Sequence, residues 1–321
     1  MIRHTVSSIT IQFANSLGEL GMLRKILTWV GWIATLLVVV VLSYAGYVYV
    51  RSEQILQTKY QAPNSSIIIP TDAASIARGQ HLSRAVTSCV LCHGEDLGGK
   101  VYADMGPVGV IAGPNLTRGK GGIGGIYSDE DWVRAIRHGV NRDGTSLIVM
   151  PSEVFTHLSA EDLGSIIAYA KQVPPVDREV ERSHFRPLGR MLLTQGKMKI
   201  LVAPKTPNVD VIPSVPREPT KEYGKYLADV SGCHGCHGYG LSGGRVAGPP
   251  KAPPASNLTP EGIGDWTEAQ FTRAVRDGKD TDGGTLDELM PSQTFKAMTD
   301  DEVHALWLYV KSVPPKPFGH K

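Results

Sequence analysis

Only four cysteines occur in the 321 residues of this chain, too few for the dense disulfide framework of a small secreted scaffold. Charge of one sign is also lacking. Thirty-three Lys and Arg face 31 Asp and Glu, a formal net charge of +2, and the two signs are interspersed. No basic stripe is present to follow a phosphate backbone, which excludes recognition of nucleic acid by charge. Aromatic residues are sparse, 7% of the chain, although the length has room for two domains of ordinary size. A bound group can supply the apolar bulk that such cores would otherwise take from aromatic side chains. Alternating apolar and polar runs of useful length are missing as well, which argues against an extended sheet. What is abundant is Gly, 35 residues, and Pro, 22 residues, the composition of loop-rich domains.

The scarce cysteines are all spent in two copies of one motif: Cys89-Val90-Leu91-Cys92-His93 and Cys233-His234-Gly235-Cys236-His237. C-x-x-C-H is the attachment signature of c-type haem. The spacing presents both thiols on one helical turn, where they add across the haem vinyl groups, and the adjacent histidine offers an imidazole nitrogen to the iron. One such motif would leave a redox dithiol or half a zinc site open. Two copies, each followed by histidine and with no cysteine to spare, point instead to two covalent haem c groups. Cys89, Cys92, Cys233 and Cys236 are then the thioether residues, and His93 and His237 the iron-binding imidazoles.

Residues 26–50 are apolar apart from scattered Thr, Ser and Gly, and carry no charge. The roughly 20 residues needed to cross a bilayer are present. Arg24 and Lys25 precede the run and Arg51 follows it, with Trp29 and Trp32 near one end and Tyr44, Tyr47 and Tyr49 near the other, as interfacial belts are arranged. A cleaved signal peptide, starting at Met22 and cut after Ser43-Tyr44-Ala45, is the rival reading. The apolar run exceeds a signal core and continues past that cut, which favours a retained anchor with the segment up to residue 25 inside the cell.

Self-comparison shows that a repeat organises the chain after residue 70. Asn115-Leu116-Thr117 returns as Asn257-Leu258-Thr259, and Gly122-Ile123-Gly124 as Gly262-Ile263-Gly264. Arg134-Ala135-Ile136-Arg137 and Gly139 return as Arg273-Ala274-Val275-Arg276 and Gly278. Met150-Pro151-Ser152 returns as Met290-Pro291-Ser292, and Val173-Pro174-Pro175 as Val313-Pro314-Pro315. Inside each copy the local signals are helical. Ser128 with Asp131 and Thr267 with Gln270 are capping boxes, closed by Gly139 and Gly278. Ser159 with Asp162 and Thr299 with Glu302 open a last helix that Pro174 or Pro314 stops. A first helix passes through Gly79–Leu82 and Gly224–Leu227. The boundaries expected are 1–25 cytoplasmic tail, 26–50 transmembrane anchor, 51–70 linker, 71–176 first domain, 177–216 interdomain linker and 217–321 second domain. The interdomain segment is a linker or a brace, with a short helix over Leu188–Ile200.

The repeat also selects the second axial ligand of each iron. Downstream of His93 the candidates are Met105, His138, Met150 and His157. Met105 has no methionine counterpart, His138 aligns with Asp277, and His157 aligns with Ala297. Met150 alone is reproduced in kind, as Met290, each followed by Pro and Ser. The proline stiffens a loop that must hold a weakly bonding thioether at the metal. His/Met ligation raises the potential and fills both axial sites, which leaves one-electron cycling and no site for peroxide or oxygen.

With these motifs in view, each copy resembles a class I cytochrome c domain, and the whole resembles the membrane-anchored dihaem cytochromes c of bacterial respiratory chains. The resemblance covers residues 71–176 and 217–321. It implies an all-α fold: one transmembrane helix followed by two tandem cytochrome c domains, in the bacterial inner membrane, single-pass, with the haem domains on the periplasmic side. It implies electron transfer and no catalysis of its own, as a tethered relay or as the cytochrome subunit of a respiratory dehydrogenase or oxidase complex. The partners are redox proteins at the membrane and the bilayer itself. In the family, the carbonyl of a Gly-Pro-x-Leu proline accepts a bond from the iron-binding histidine, which orients the imidazole. Gly113-Pro114-Asn115-Leu116 matches; the second copy has Ala255-Ser256-Asn257-Leu258, leaving Pro249 or Pro254 as substitutes. The alternative function is a dihaem peroxidase with one open site, which matched Met150 and Met290 oppose. A zinc-stabilised binding module is the third.

Remaining signals are set aside. Gly119-x-Gly121-x-x-Gly124 formally matches a dinucleotide fingerprint, but no strand precedes it, and of its glycines the second copy keeps only the last. Nucleotide binding is therefore not expected. Asn115-Leu116-Thr117 and Asn257-Leu258-Thr259 are formal glycosylation sequons whose place in both repeats suits a structural loop. Arg134 and Arg273 are candidates for haem propionates or for a solvated helix face, and Trp132 and Phe271 for the core.

Overall fold

The computed structural model describes residues 3–63, 66–209, 212–245 and 252–319, with side chains from residue 21 onward. Pro249, Pro250, His320 and the His4 side chain lie outside the described residues. Helix α1 spans Arg3–Leu56. Its stretch Gly21–Leu56 is long and apolar enough to cross a membrane. From Met22 to Val50 its side chains stand exposed apart from Val48, a surface that lipid tails satisfy and water does not.

In the first copy, α2 (Ala73–His81) starts at Asp72, whose carboxylate accepts the Ser75 N–H at 2.9 Å. A π-helical turn, Leu82–Val86, leads on to α3 (Cys89–His93). Strands β1 (Lys100–Asp104) and β2 (Gly109–Gly113) pair antiparallel, with a register shift between Val101 and Ala103. Helix α4 (Asp129–His138) opens on a reciprocal Ser128/Asp131 capping box and closes on Gly139 at φ 66°. Helix α5 (Ser152–Phe155) follows, then α6 (Ala160–Gln172), whose N-cap Ser159 accepts the Asp162 N–H. Strand β3 (His184–Phe185) joins β2, and α7 (Pro187–Thr194) follows in the middle segment, which then passes through a 3-10 turn, Ala203–Lys205. The second copy repeats the helical order with α8 (Lys221–Val230), α9 (Cys233–His237), α10 (Pro260–Ile263), α11 (Glu268–Asp277), α12 (Ser292–Phe295) and α13 (Asp300–Ser312). Capping boxes open α11 and α13, and Gly278 closes α11 at φ 62°.

The fold is all-α, as expected, with one small departure. The three-stranded sheet β1-β2-β3 lies where no strand was read, because its strands are two to five residues long, too short to show a period of two. In the second copy, among the described residues, a single bridge, Gly244 to Ala255, stands in its place. The middle helix also stops earlier than Ile200. Gly196, at φ 68°, turns the chain immediately after it.

The first and last helices of each copy cross at matched glycines. A Cβ on Gly79 would stand 1.9 Å from the Ser165 carbonyl oxygen, and one on Gly224 1.8 Å from that of Ala305. Only glycine permits backbones to approach so closely. Around these crossings, one core runs through both copies, from Leu158, Leu163 and Ile167 to Tyr226, Leu227 and Val230. Trp132 and Phe271 are buried in it, 3% and 5% exposed.

A polar network seals the junction between the copies. Arg78 holds Asp162 bidentately, at 3.1 Å from both Nε and Nη2, and reaches Glu302 of the second copy at 3.2 Å. Tyr226 Oη donates to Asp162 at 2.7 Å, and His81 Nε2 lies 2.8 Å from Glu302. The middle segment is no loose tether either. Leu193 and Phe185 pack with Ile111, Ile55 and Leu56 in a second, smaller core.

Candidate haem sites

Each C-x-x-C-H motif forms a single helical turn with the same entrance and exit. Helix α3 is entered through Ser88 at φ 55° and left through Gly94 at φ 81°, ψ 159°; α9 is entered through Gly232 at φ 81° and left through Gly238 at φ 77°, ψ 159°. A left-handed serine is costly outside glycine, so its retention at this position marks a constrained geometry. The turn places Cys89 and Cys92, and Cys233 and Cys236, one turn apart. None of the four is in a disulfide. Burial pushes the Cys89 and Cys233 thiols up, although the hydroxyls of Thr87 and Ser231 lie 3.3 Å from the two sulfurs. Burial, followed by the neighbouring Cys89, raises Cys92 to about 11.

His93 and His237 are each 8% exposed. The Nδ1 of His93 lies 2.9 Å from the Pro114 carbonyl, and that of His237 2.8 Å from the Ser256 carbonyl. A carbonyl can only accept, so Nδ1 carries the proton and the Nε2 lone pair is left free. Among the described residues neither Nε2 has a hydrogen-bond partner. Burial holds both imidazoles below their ordinary range, against the pull of those carbonyls, which keeps them neutral as iron ligands must be. A buried neutral imidazole beside two thiols on one turn fits a covalently attached haem in both copies. It does not fit zinc: among the described residues no three His, Cys, Asp or Glu side chains converge.

The expectation for the second copy needs correction at one point. Ser256, and not Pro254, takes the place of Pro114; Pro249 lies outside the described residues. The acceptor is a backbone carbonyl, so the proline side chain is dispensable. What fixes that carbonyl is the next residue. Asn115 and Asn257 are buried; Asn115 Nδ2 donates to the Val176 carbonyl at 2.7 Å, and Asn257 Nδ2 to that of Lys316 at 2.8 Å. Their Oδ1 atoms accept the Thr117 and Thr259 N–H groups, both at 2.9 Å. The sequons are thus structural loops, with their amide nitrogens already engaged.

Met150 and Met290 are half-buried against the shared core, in loops of one geometry. Pro151 and Pro291 have φ −81° and −80°, ψ 54° and 50°. Ser152 and Ser292 bond back to the methionine carbonyls at 2.9 and 2.8 Å, and their hydroxyls donate to Ala135 and Ala274 carbonyls at 3.1 and 3.3 Å. Both methionine loops are therefore pinned to the helix before them. Of the other candidates, Met105 is exposed between β1 and β2. His138 is 3% exposed and neither ring nitrogen has a partner among the described residues; burial and the adjacent Arg137 hold it down at about 4.

Arg134 is engaged by Asp131 and by the Arg142 carbonyl, and Arg273 donates to the Asp280 and Thr281 carbonyls at 2.8 and 3.1 Å. Sequence reasoning passed over Thr87 and Ser231. The signal was there: a hydroxyl residue two places before the first cysteine in both copies.

A family model described as "Cytochrome C oxidase, cbb3-type, subunit III" matches residues 74–169 and 220–310. Among curated proteins, the chain is 30% identical over 278 residues to the cytochrome c subunit of alcohol dehydrogenase (quinone) from Gluconacetobacter polyoxogenes, covering 77% of this chain and 57% of that protein. It is 28% identical over 274 residues to the fructose dehydrogenase cytochrome subunit of Gluconobacter japonicus, covering 77% and 55%. The gluconate 2-dehydrogenase cytochrome c subunit of Pantoea cypripedii is 29% identical over 276 residues, covering 76% and 60%. The chain thus spans little more than half the length of these relatives. The family match, by contrast, takes in more than half of the chain and one haem motif in each of its two segments, and the chain belongs to this family of c-type cytochromes.

Proposed function

We propose that the chain is a membrane-tethered electron-transfer subunit of a dehydrogenase complex, carrying two covalent haem c groups with His93/Met150 and His237/Met290 ligation. The observation that carries this reading is the duplication of geometry, not of sequence alone: the same imidazole–carbonyl bond and the same pinned Met-Pro-Ser loop in both copies. Haem c, when bound, supplies a one-electron ferrous/ferric couple. The chain's residues do the rest. Cys89, Cys92, Cys233 and Cys236 would hold the group covalently, the carbonyls of Pro114 and Ser256 hold each imidazole in one tautomer, and Met150 and Met290 would supply the thioether ligands. Sites closed on both sides favour a carrier over a peroxidase.

Residues 26–50 are the anchor in this reading, 71–176 and 217–321 the two haem domains, and 177–216 the segment that joins them. Helix α1 runs unbroken through Ser43-Tyr44-Ala45 and on to Leu56, which supports retention of the anchor over cleavage. The haem domains then lie on the periplasmic side of a bacterial inner membrane. Relatives named as cytochrome subunits of alcohol, fructose and gluconate dehydrogenases suggest a dehydrogenase as electron donor. A tether raises the effective concentration of such a partner without a tight interface.

Purification of the full chain in mild detergent, with a pyridine haemochrome assay and optical spectra, tests the reading. Two haems per chain, low-spin at neutral pH, and a stoichiometric dehydrogenase are expected. One high-spin haem with peroxide consumption would overturn it in favour of the peroxidase, and absence of covalent haem would overturn both.

A further inference from the structure

We propose that the turn after α7, Gln195–Lys199, is a second membrane contact, seated in the phospholipid headgroup layer beside the anchor. The proposal rests on the reading of residues 26–50 as that anchor. Helix α7 runs antiparallel to the end of α1 and descends along it. Arg190 Nη1 donates to Ser52 Oγ at 2.8 Å and pairs with Glu53 at 3.1 Å, while its guanidinium lies 4.6 Å from the Tyr49 ring centroid. One turn further, Thr194 Oγ1, which donates to the Arg190 carbonyl at 2.9 Å, lies 3.5 Å from the Val48 carbonyl, and Gln195 Nε2 reaches Tyr44 Oη at 3.4 Å. Tyr44 lies inside the apolar run. Counted from Val50 at 1.5 Å per residue, the α7 tip stands about 9 Å below the end of that run.

Protein therefore covers Val48, 7% exposed, at a depth where composition alone would put lipid, and Ser52, 0% exposed, just beyond the run. The apolar run of 25 residues exceeds the roughly 20 that a hydrocarbon core requires. Its last residues, with the exposed Tyr44, Tyr47 and Tyr49, fall in the headgroup zone, the layer such rings prefer. The α7 tip falls there with them. Its chemistry suits that layer. Lys197 and Lys199 are exposed and, with Arg51, form no ion pair among the described residues, while Glu53, two residues beyond Arg51, is held by Arg190. Unpaired cations at this level match anionic lipid phosphates. Leu193 ties the foot to Phe185 and Ile111 of the first copy, so the contact would fix the height and tilt of that copy over the bilayer.

The test uses the full holoprotein in vesicles of phosphatidylethanolamine and phosphatidylglycerol, with a benzophenone photocrosslinking residue at Gln195, at Val39 of the anchor, or at Lys296 of the second copy. Lipid adducts are expected at Val39 and Gln195 and not at Lys296. The double variant Lys197→Glu/Lys199→Glu should lower the Gln195 yield several-fold and leave the Val39 yield unchanged. An adduct at Val39 with none at Gln195, or with a protein adduct at Gln195 instead, overturns the foot while the anchor stands. No lipid adduct at Val39 overturns the anchor reading. A Gln195 yield unmoved by charge reversal overturns the phosphate contact.

Discussion

Replacing Arg78 by Met removes the cation that serves two copies at once. The Arg78 side chain is 11% exposed, and the Asp162 and Glu302 carboxylates it joins are 5% exposed each. Removing one partner of a buried ion pair costs about 3–5 kcal/mol, because the remaining charge is left uncompensated. Here Asp162 keeps the Tyr226 hydroxyl at 2.7 Å and the Arg217 guanidinium at 3.5 Å, and Glu302 keeps His81 at 2.8 Å and the Thr299 N–H at 3.0 Å. The lower end of the range, about 3 kcal/mol, is therefore expected. For a folded unit of this size that is a fall of roughly 6–12 °C in Tm. The assay is urea unfolding of the holoprotein followed by far-ultraviolet circular dichroism. Adding Asp162→Asn and Glu302→Gln to Arg78→Met should recover much of the loss, since no uncompensated charge then remains. The deficit should also depend on pH. Burial pushes the Glu302 carboxyl up, but the His81 bond, supported by the Thr299 N–H and Arg78, holds it below its ordinary 4.5. A carboxyl depressed by folding contributes stability that is present above pH 4.5 and lost as pH falls through the lower folded value. The gap between wild type and Arg78→Met should thus narrow below pH 4.5. A loss under about 1 kcal/mol at neutral pH, the range of a surface pair, would refute the account of this junction.

Gly224→Ala places a Cβ 1.8 Å from the Ala305 carbonyl, backbone that cannot swing aside, and should cost about 3 kcal/mol in urea unfolding; a loss near zero would mean that α8 and α13 slide apart freely. Met150→Ala and Met290→Ala should each leave haem attached, open one sixth coordination site and lower one potential. Retention of the original potential in Met150→Ala would pass the ligand role to His138 or His157. Ser256→Ala should leave the spectrum and potential of the His237 haem unchanged, because the acceptor is the backbone carbonyl, and a shift would implicate the hydroxyl.

Local chemistry is what the sequence displays. The Ser128/Asp131 and Thr267/Gln270 boxes, the closing Gly139 and Gly278, and both C-x-x-C-H turns are each settled within a few residues, and the repeat lets every signal be checked against its twin. The repeat also separates Met150 from Met105. What escapes is non-local. Arg78 and Glu302 are 224 positions apart, and both are ordinary residues for a helix surface. Asp162 reads as part of a helix start, yet its carboxylate turns away to Arg78 and Tyr226. The β1–β2 hairpin escapes because strands of five residues are too short to show a period. Helix α7 was legible as a helix, but its packing on α1 was not, since nothing local marks Arg190 as the partner of Ser52 and Glu53.

The same comparison of twins leads to an asymmetry between the haem sites. In the first copy the charges beside the methionine loop are paired: Arg142 lies 3.6 Å from Asp131, which Arg134 also holds, and Asp143 lies 3.6 Å from Lys59. In the second copy Asp277, Asp280, Asp282, Asp287 and Glu288 precede Met290, and among the described residues none of them forms an ion pair. Asp280 and Asp287 merely accept the N–H groups of Asp282 and Leu289, both at 3.0 Å. Net negative charge stabilises the ferric form, so the His237 haem should have the lower potential and electrons should run from it toward the His93 haem. At separations of about 15 Å in water each charge is worth roughly 10 mV, and a Debye length of about 10 Å at 0.1 M salt removes most of that. The gap should therefore be tens of millivolts at low ionic strength and shrink as salt is added. Redox titration at low and high salt measures it, with Met150→Ala and Met290→Ala assigning the waves. The triple variant Asp280→Asn/Asp282→Asn/Asp287→Asn should raise the lower wave alone. Equal midpoints at low salt, a lower wave that follows Met150, or a gap indifferent to salt would each show that these carboxylates do not set the direction of flow.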